Sequence, residues 1–173
     1  MRFSLTPYPT GPASPIEVIE VEMERKGSLL WLRFFTEGDV NAVAWPDPHP
    51  HERTDELWKH TCFEVFVTAG EGYVEYNLSP SHQWASYSFD SYRKGMRPAE
   101  LRATVLGLDG GEDYLALEAT IELPENADRL ALSAVIENLS DEKTYWALAH
   151  PSDKPDFHHS GSFTLVLPPA EPA

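Results

Sequence analysis

Two acidic residues interrupt runs that are otherwise apolar or aromatic. They lie in Thr61-Cys62-Phe63-Glu64-Val65-Phe66-Val67 and Tyr73-Val74-Glu75-Tyr76-Asn77-Leu78. Read with a period of two, Cys62, Glu64 and Phe66 share one strand face, and Tyr73, Glu75 and Asn77 share another. Antiparallel pairing of the two runs would bring Glu64 near Glu75 or Asn77. A carboxylate accepts hydrogen bonds from hydroxyls, and an amide both donates and accepts. Buried groups of this kind discriminate between ligands, because an unmade partner costs about 1–3 kcal/mol. Indoles flank the stretch at Trp58 and, much later, at Trp146. A buried aromatic side chain shields roughly 150–250 Å². Acids, amide and indole together suit a molecule with an apolar face and a hydroxyl rim.

Each residue also has a purely structural reading. Trp58 fits a site wall or an edge-covering indole, and Tyr145-Trp146-Ala147-Leu148 fits core packing as well as a wall. Asn77-Leu78-Ser79-Pro80 also reads as a strand end running into a turn. Arg93, Lys94, Arg97 and Arg102 form a local basic cluster suited to surface ion pairs, or to an anionic group on a ligand. Asp47-Pro48-His49-Pro50-His51 spaces three possible metal ligands along an extended segment, yet a solvated proline-rich loop accounts for it better. In Asp156-Phe157-His158 a turn-stabilising hydrogen bond to the C-terminal strand is the expectation ahead of a metal, with His158 available at a groove rim. Cys62, inside an alternating strand, is expected to be buried and inert.

The elements that must position these groups are short strands. Period-two alternation recurs in Ile16–Met23, Ser28–Phe35, Val40–Trp45, Cys62–Thr68, Tyr73–Ser79, Gln83–Phe89, Leu101–Leu108, Tyr114–Ile121, Tyr145–Ala149 and Ser162–Leu167, separated by Gly, Pro and Asp signals. Residues 125–139 fit an amphipathic helix or, the favoured reading, a short helical turn after Pro124 followed by a strand. The fold class is all-β, a two-sheet antiparallel β-sandwich of jelly-roll type with one short helical turn. One domain is expected over residues 14–168, with a proline-rich extended lead-in at 1–13 and a disordered tail at 169–173.

Composition narrows the function classes. Against 28 Asp+Glu stand 13 Lys+Arg, a formal net charge of −15. Acidity on that scale repels phosphate backbones and anionic lipid, so neither nucleic acid nor membrane is an expected partner. One cysteine excludes an internal disulfide framework and a multi-cysteine metal site. With no export signal visible, a cytoplasmic location is expected. No phosphate-cradling glycine loop, nucleophile elbow or zinc-ligand spacing occurs.

Trp58 ahead of the Cys62-Phe63-Glu64-Val65-Phe66 strand, the polar residues of the next strand, and the C-terminal Tyr145-Trp146-Ala147-Leu148 strand resemble the DOMON-like family, whose relatives include the type 9 carbohydrate-binding modules. The resemblance spans nearly the whole chain. It implies a β-sandwich that holds a small ligand, such as a sugar or in some branches haem, on a concave face without transforming it. By the same resemblance Trp58 is the first aromatic wall, Glu64 the strand carboxylate, Asn77 the polar residue of the following strand and Trp146 the opposite wall. The chain departs from the pattern in having Glu75 and Asn77 where an arginine is expected, and Arg93 is the candidate to compensate.

The leading expectation is therefore a non-catalytic module for a sugar or sugar derivative, with no cofactor. Three other readings stay open. A haem domain would need axial ligands such as Met23 or Met96 with His60 or His82. A glycoside hydrolase would pair Glu64 with Glu75 or Glu118. An acidic sandwich could also receive a peptide. Calcium held by loops around Asp39, Asp109 and Asp113 lacks a recognisable ligand order. Oligomeric state is not legible.

Overall fold

The computed structural model of the chain describes residues 1–170. Twelve strands form: β1 (Arg2–Pro7), β2 (Ile16–Lys26), β3 (Leu29–Gly38), β4 (Cys62–Ala69), β5 (Gly72–Leu78), β6 (Trp84–Phe89), β7 (Arg97–Pro98), β8 (Ala103–Gly110), β9 (Tyr114–Glu122), β10 (Arg129–Glu137), β11 (Lys143–Ala147) and β12 (Leu165–Val166). Helix is confined, among the described residues, to three-residue 3₁₀ turns at Val40–Ala42, Leu57–Lys59 and Ser160–Ser162. None is long and apolar enough to cross a membrane.

The all-β expectation holds. The strands lie on one antiparallel path, β7-β6-β5-β4-β10-β11-β1-β2-β3-β9-β8, with β12 on the flank of β10. The sheet curls into a half-barrel, so its two arms face each other across one apolar core. β1 is the seam: Arg2–Leu5 pair with β2, and Thr6 and Pro7 pair with β11. The lead-in expected at 1–13 is thus corrected over residues 2–7, where Phe3 and Leu5 alternate with polar neighbours as a strand requires. Pro7 ends the strand, since its ring nitrogen has no proton to offer the ladder. Residues 171–173 of the expected tail lie outside the described residues.

Alternation fixes which side chains reach the core. Ile19, Val21 and Met23 of β2 and Leu30, Leu32 and Phe34 of β3 meet Phe63, Val65 and Val67 of β4 and Val74, Tyr76 and Leu78 of β5. Phe34 lies against Phe63 with ring centroids 4.9 Å apart. The Tyr76 hydroxyl reaches across the core to donate to the Glu122 carbonyl. Two expected elements differ. Val40–Trp45 is not a strand; its first residues wind into a 3₁₀ turn, and the Trp45 indole donates back to the Val40 carbonyl at 2.8 Å. After Pro124 the chain makes a β-turn instead of a helical one, with Ala127 N–H on the Pro124 carbonyl and Asn126 left-handed at φ 61°.

Candidate functional site

The pocket is built on the outer face of the arm β6-β5-β4-β10-β11, away from the core. Its register descends from one turn. β4 and β5 are joined by Gly70 and Glu71, with Ala69 opposite Gly72 and Gly70 left-handed at φ 61°, a conformation glycine adopts without steric penalty. Counting along the ladder, Glu64 stands directly across from Asn77, and Phe66 across from Glu75. On the other side of β4, Ser133 of β10 pairs with Glu64, and its hydroxyl donates to Glu64 Oε2 at 3.3 Å. The shared faces expected for Glu64, Glu75 and Asn77 are the ones observed.

Two loop segments complete the walls. Trp58 rides on the 3₁₀ turn Leu57–Lys59, which begins at a left-handed Glu56 (φ 65°). That loop is pinned at three points. The Tyr87 hydroxyl donates to Asp55 at 2.6 Å, Thr54 N–H donates to the Trp84 carbonyl at 2.8 Å, and the His60 ring contacts Glu137 at 3.0 Å. The Trp58 indole meets the Tyr87 ring edge-on at 5.9 Å. The second segment, residues 155–163, is held by Asp156, whose carboxylate is almost fully buried. It accepts from Arg93 Nη2 at 2.9 Å, from the His158 backbone N–H at 3.1 Å and from the Tyr92 hydroxyl. The expected tie to the C-terminal strand is instead one to the 3₁₀ turn before it, the Ser162 hydroxyl donating to the Asp156 carbonyl at 3.3 Å. Phe66, Tyr73 and Phe89 pack around His158, Phe157 and Phe163 pack against Phe66, and Tyr73 and Phe89 are stacked at 4.8 Å.

Between sheet face and loops lies a cavity of about 350 Å³ lined by Trp58, Glu64, Glu75, Phe89, Arg93, Met96, Val135, Tyr145, Pro155, Phe157 and His158. Five of the seven sequence-selected residues therefore meet in one space: Trp58, Glu64, Glu75, Arg93 and His158. Asn77 does not line it. It is fully buried on the same sheet face, and neither its amide oxygen nor its amide nitrogen has a hydrogen-bond partner among the described residues. Trp146 is a correction. It is 2% exposed and packs in the central core, its indole donating to Thr144 at 3.3 Å. One residue along a strand reverses the face, so Tyr145, paired with Val135, fronts the pocket in its place. Met96, named above as a haem axial candidate, also lines the pocket, whereas Tyr145, Phe157, Phe89, Val135 and Pro155 are not singled out in the sequence. The adjacency of Tyr145 to Trp146 and of Phe157 to His158 was the available signal.

The electrostatics of the floor are set by burial. Burial and then the nearby Glu75 charge push the Glu64 carboxyl well above the usual carboxylate range, with the Ser133 hydrogen bond opposing. Burial raises Glu75 to about 7, against the pull of the Arg93 charge. Burial, reinforced by Arg93, lowers His158 to about 4, so its imidazole is neutral near pH 7. Its Nδ1 sits 2.7 Å from the Tyr73 hydroxyl, which accepts the Arg93 backbone N–H at 3.1 Å, and its Nε2 sits 3.4 Å from Glu75 Oε1. That network assigns the Nε2–H tautomer, with Tyr73 donating to Nδ1.

Other candidates fall elsewhere. Glu118 lies on the opposite arm, near Arg33 at 4.0 Å, and cannot pair with Glu64. Met23 is buried in the core and His60 turns to Glu137. His51 accepts the Val105 backbone N–H at 3.2 Å, anchoring its proline-rich loop to β8. Among the described residues no group of three His, Cys, Asp or Glu side chains stands together as a metal site. Arg93 and Arg97 form ion pairs with Asp156 and Asp90, both at 2.9 Å. The buried Cys62 thiol is pushed up by burial and by Glu64, which holds it protonated.

Asp156 is the keystone of the second wall. Asp156→Ala is expected to lower stability by about 1–3 kcal/mol, because it strips the acceptor from three donors. The half-exposed Arg93 can recover water, which keeps the loss below that of a fully buried pair. Thermal melting, with limited proteolysis across 151–163, checks both the loss and its location.

The architecture is an all-β fold that recurs among solved structures. A solved structure from Bacteroides uniformis described as a "putative carbohydrate-binding protein" superposes with a TM-score of 0.60, at 14% identity, covering 94% of this chain and 84% of that one. At that identity the similarity speaks for the fold. No protein-family model matches the chain, and no curated protein matches it either.

Proposed function

We propose that the protein is a non-catalytic binding module whose ligand is a sugar or sugar derivative held in the pocket of Glu64, Glu75 and Trp58. The observation that carries this reading is the convergence of an indole and two buried carboxylates on one 350 Å³ cavity. Ligand sites of this kind are mostly apolar, with a few placed polar groups that fix orientation. Trp58, Phe157 and Tyr145 offer rings to the C–H face of a pyranose, and the acids offer acceptors to its hydroxyls. The fold likeness to the Bacteroides protein supports the same reading, as does the resemblance of Trp58 and the Cys62-Phe63-Glu64-Val65-Phe66 strand to the DOMON-like family.

The test is titration calorimetry with a panel of mono- and disaccharides, followed by recovery of the ligand. A sugar is expected to bind, to be recovered unchanged, and to bind about tenfold or more weakly to Trp58→Ala, a loss of about 1.4 kcal/mol or more. No heat and no thermal shift with any sugar at millimolar concentration would remove the reading. Hydrolysed product would replace it with catalysis by the acid pair.

A further inference from the structure

The floor of the pocket has an unusual charge balance. Glu64 and Glu75 are both buried and line one cavity, and neither has a cation of its own. The groups that face Glu64 are Ser133 from β10, Cys62 from its own strand, and Asn77 and Glu75 from β5. Those that face Glu75 are Phe66 from β4, Tyr87 from β6, Arg93 from the turn after β6, and His158 from the 155–163 segment. The one formal cation among them, Arg93, is bound to Asp156 at 2.9 Å. Ser133 is the sole hydrogen-bond donor on Glu64 among the described residues, and each carboxylate retains unused acceptor sites. A fully buried amide with no partner among the described residues, Asn77, stands across the strand pair from Glu64.

Resting on the sugar reading above, we propose that this pocket selects a sugar carrying a free ammonium group, seated between Glu64 and Glu75, over the same sugar without it. Three facts point this way. Buried carboxylates are strongly stabilised by an opposite charge and poorly by neutral hydroxyls. An ammonium supplies three donors in a compact head, enough to reach both acids. A net charge of −15 concentrates cationic solutes around the protein and raises their encounter rate. The buried pair also retains a proton near neutrality, since Glu75 sits at about 7 and Glu64 is raised as well. Entry of an ammonium ionises both acids, and that proton passes to the buffer.

The experiment compares glucosamine, N-acetylglucosamine, glucose and cyclohexylamine by calorimetry at neutral pH, in two buffers of different ionisation heat. Glucosamine is expected to bind at least tenfold tighter than glucose, with proton release. N-acetylglucosamine, whose nitrogen is uncharged, is expected to behave like glucose. In Glu64→Gln and, separately, Glu75→Gln, the preference for glucosamine should shrink to threefold or less. Two variants are used so that a folding defect in one leaves the other informative. Glucose binding as tightly as glucosamine would overturn the inference and leave the sugar reading standing. Cyclohexylamine binding while no sugar does would uphold the ammonium site and overturn the sugar reading. Binding of none of the four overturns both.

Discussion

Phe63→Ala is expected to cost about 3–5 kcal/mol of unfolding free energy, the range for emptying a fully buried phenylalanine site. Phe63 is 0% exposed and lies at the middle of the folded-over sheet, its ring 4.9 Å from Phe34 on the facing arm. Its cross-strand neighbour on β10 is Ala134, and its neighbour on β5 is Leu78. Both are fixed by paired backbone, so they cannot close over the void. The side chain removed is one of the main contacts between the arms, which is why the loss falls at the large end of single substitutions. Urea titration checks this: the midpoint should drop with little change in slope. A loss under about 1 kcal/mol would mean that the two arms are not locked together at this point.

The second large effect concerns pH. Glu75→Gln is expected to stabilise the protein above pH 7 and to leave it nearly unchanged below pH 4.5. The native carboxyl titrates at about 7 where the unfolded one titrates near 4.5, because burial outweighs the attraction of Arg93. Between those values the native state binds a proton that the unfolded state has lost, so stability falls as pH rises through the window. The full difference is on the order of 3 kcal/mol. His158 acts in the opposite sense. Its native value near 4, against 6.5 unfolded, means that stability falls as pH drops from 6.5 towards 4. In the natural protein the two trends oppose each other between pH 4.5 and 6.5. The glutamine variant removes the Glu75 trend but keeps that of Glu64, which burial also raises, so the difference between the two proteins, not either curve alone, carries the Glu75 effect. Denaturant titrations of both proteins from pH 4 to 8 give the difference directly. A variant less stable than the natural protein at pH 8 would show that the Glu75 carboxylate is held ionised by its neighbours.

Strand alternation made much of this legible in the sequence. In Cys62-Phe63-Glu64-Val65-Phe66 and Tyr73-Val74-Glu75-Tyr76-Asn77 the outward set is unambiguous, because the inward set is uniformly apolar. The hairpin register was not legible: the sequence left Glu64 near Glu75 or Asn77, and the two-residue Gly70-Glu71 turn decides for Asn77. Tyr145-Trp146 was not resolvable in the same way. Both residues are aromatic, and only the pairing of Val135 with Tyr145 decides which faces the core. Strand β1 was obscured by the prolines that follow it, although Phe3 and Leu5 carried its alternation. The loop walls were the least legible part. Trp58, Phe157 and His158 reach the pocket because Tyr87–Asp55 and Arg93–Asp156 hold their segments there, and such contacts join residues 32 and 63 positions apart.

The seam at β1 has a consequence for biosynthesis. Its first half finds β2 within 20 positions, but Thr6 must wait for Ala147, 141 positions later. On a ribosome the half-barrel cannot close until β11 has emerged. Until then the meander of β1, β2 and β3 has no opposing arm to cover its greasy side. Contacts this distant in sequence form late and slowly, and nascent chains caught in that interval are the ones chaperones shield.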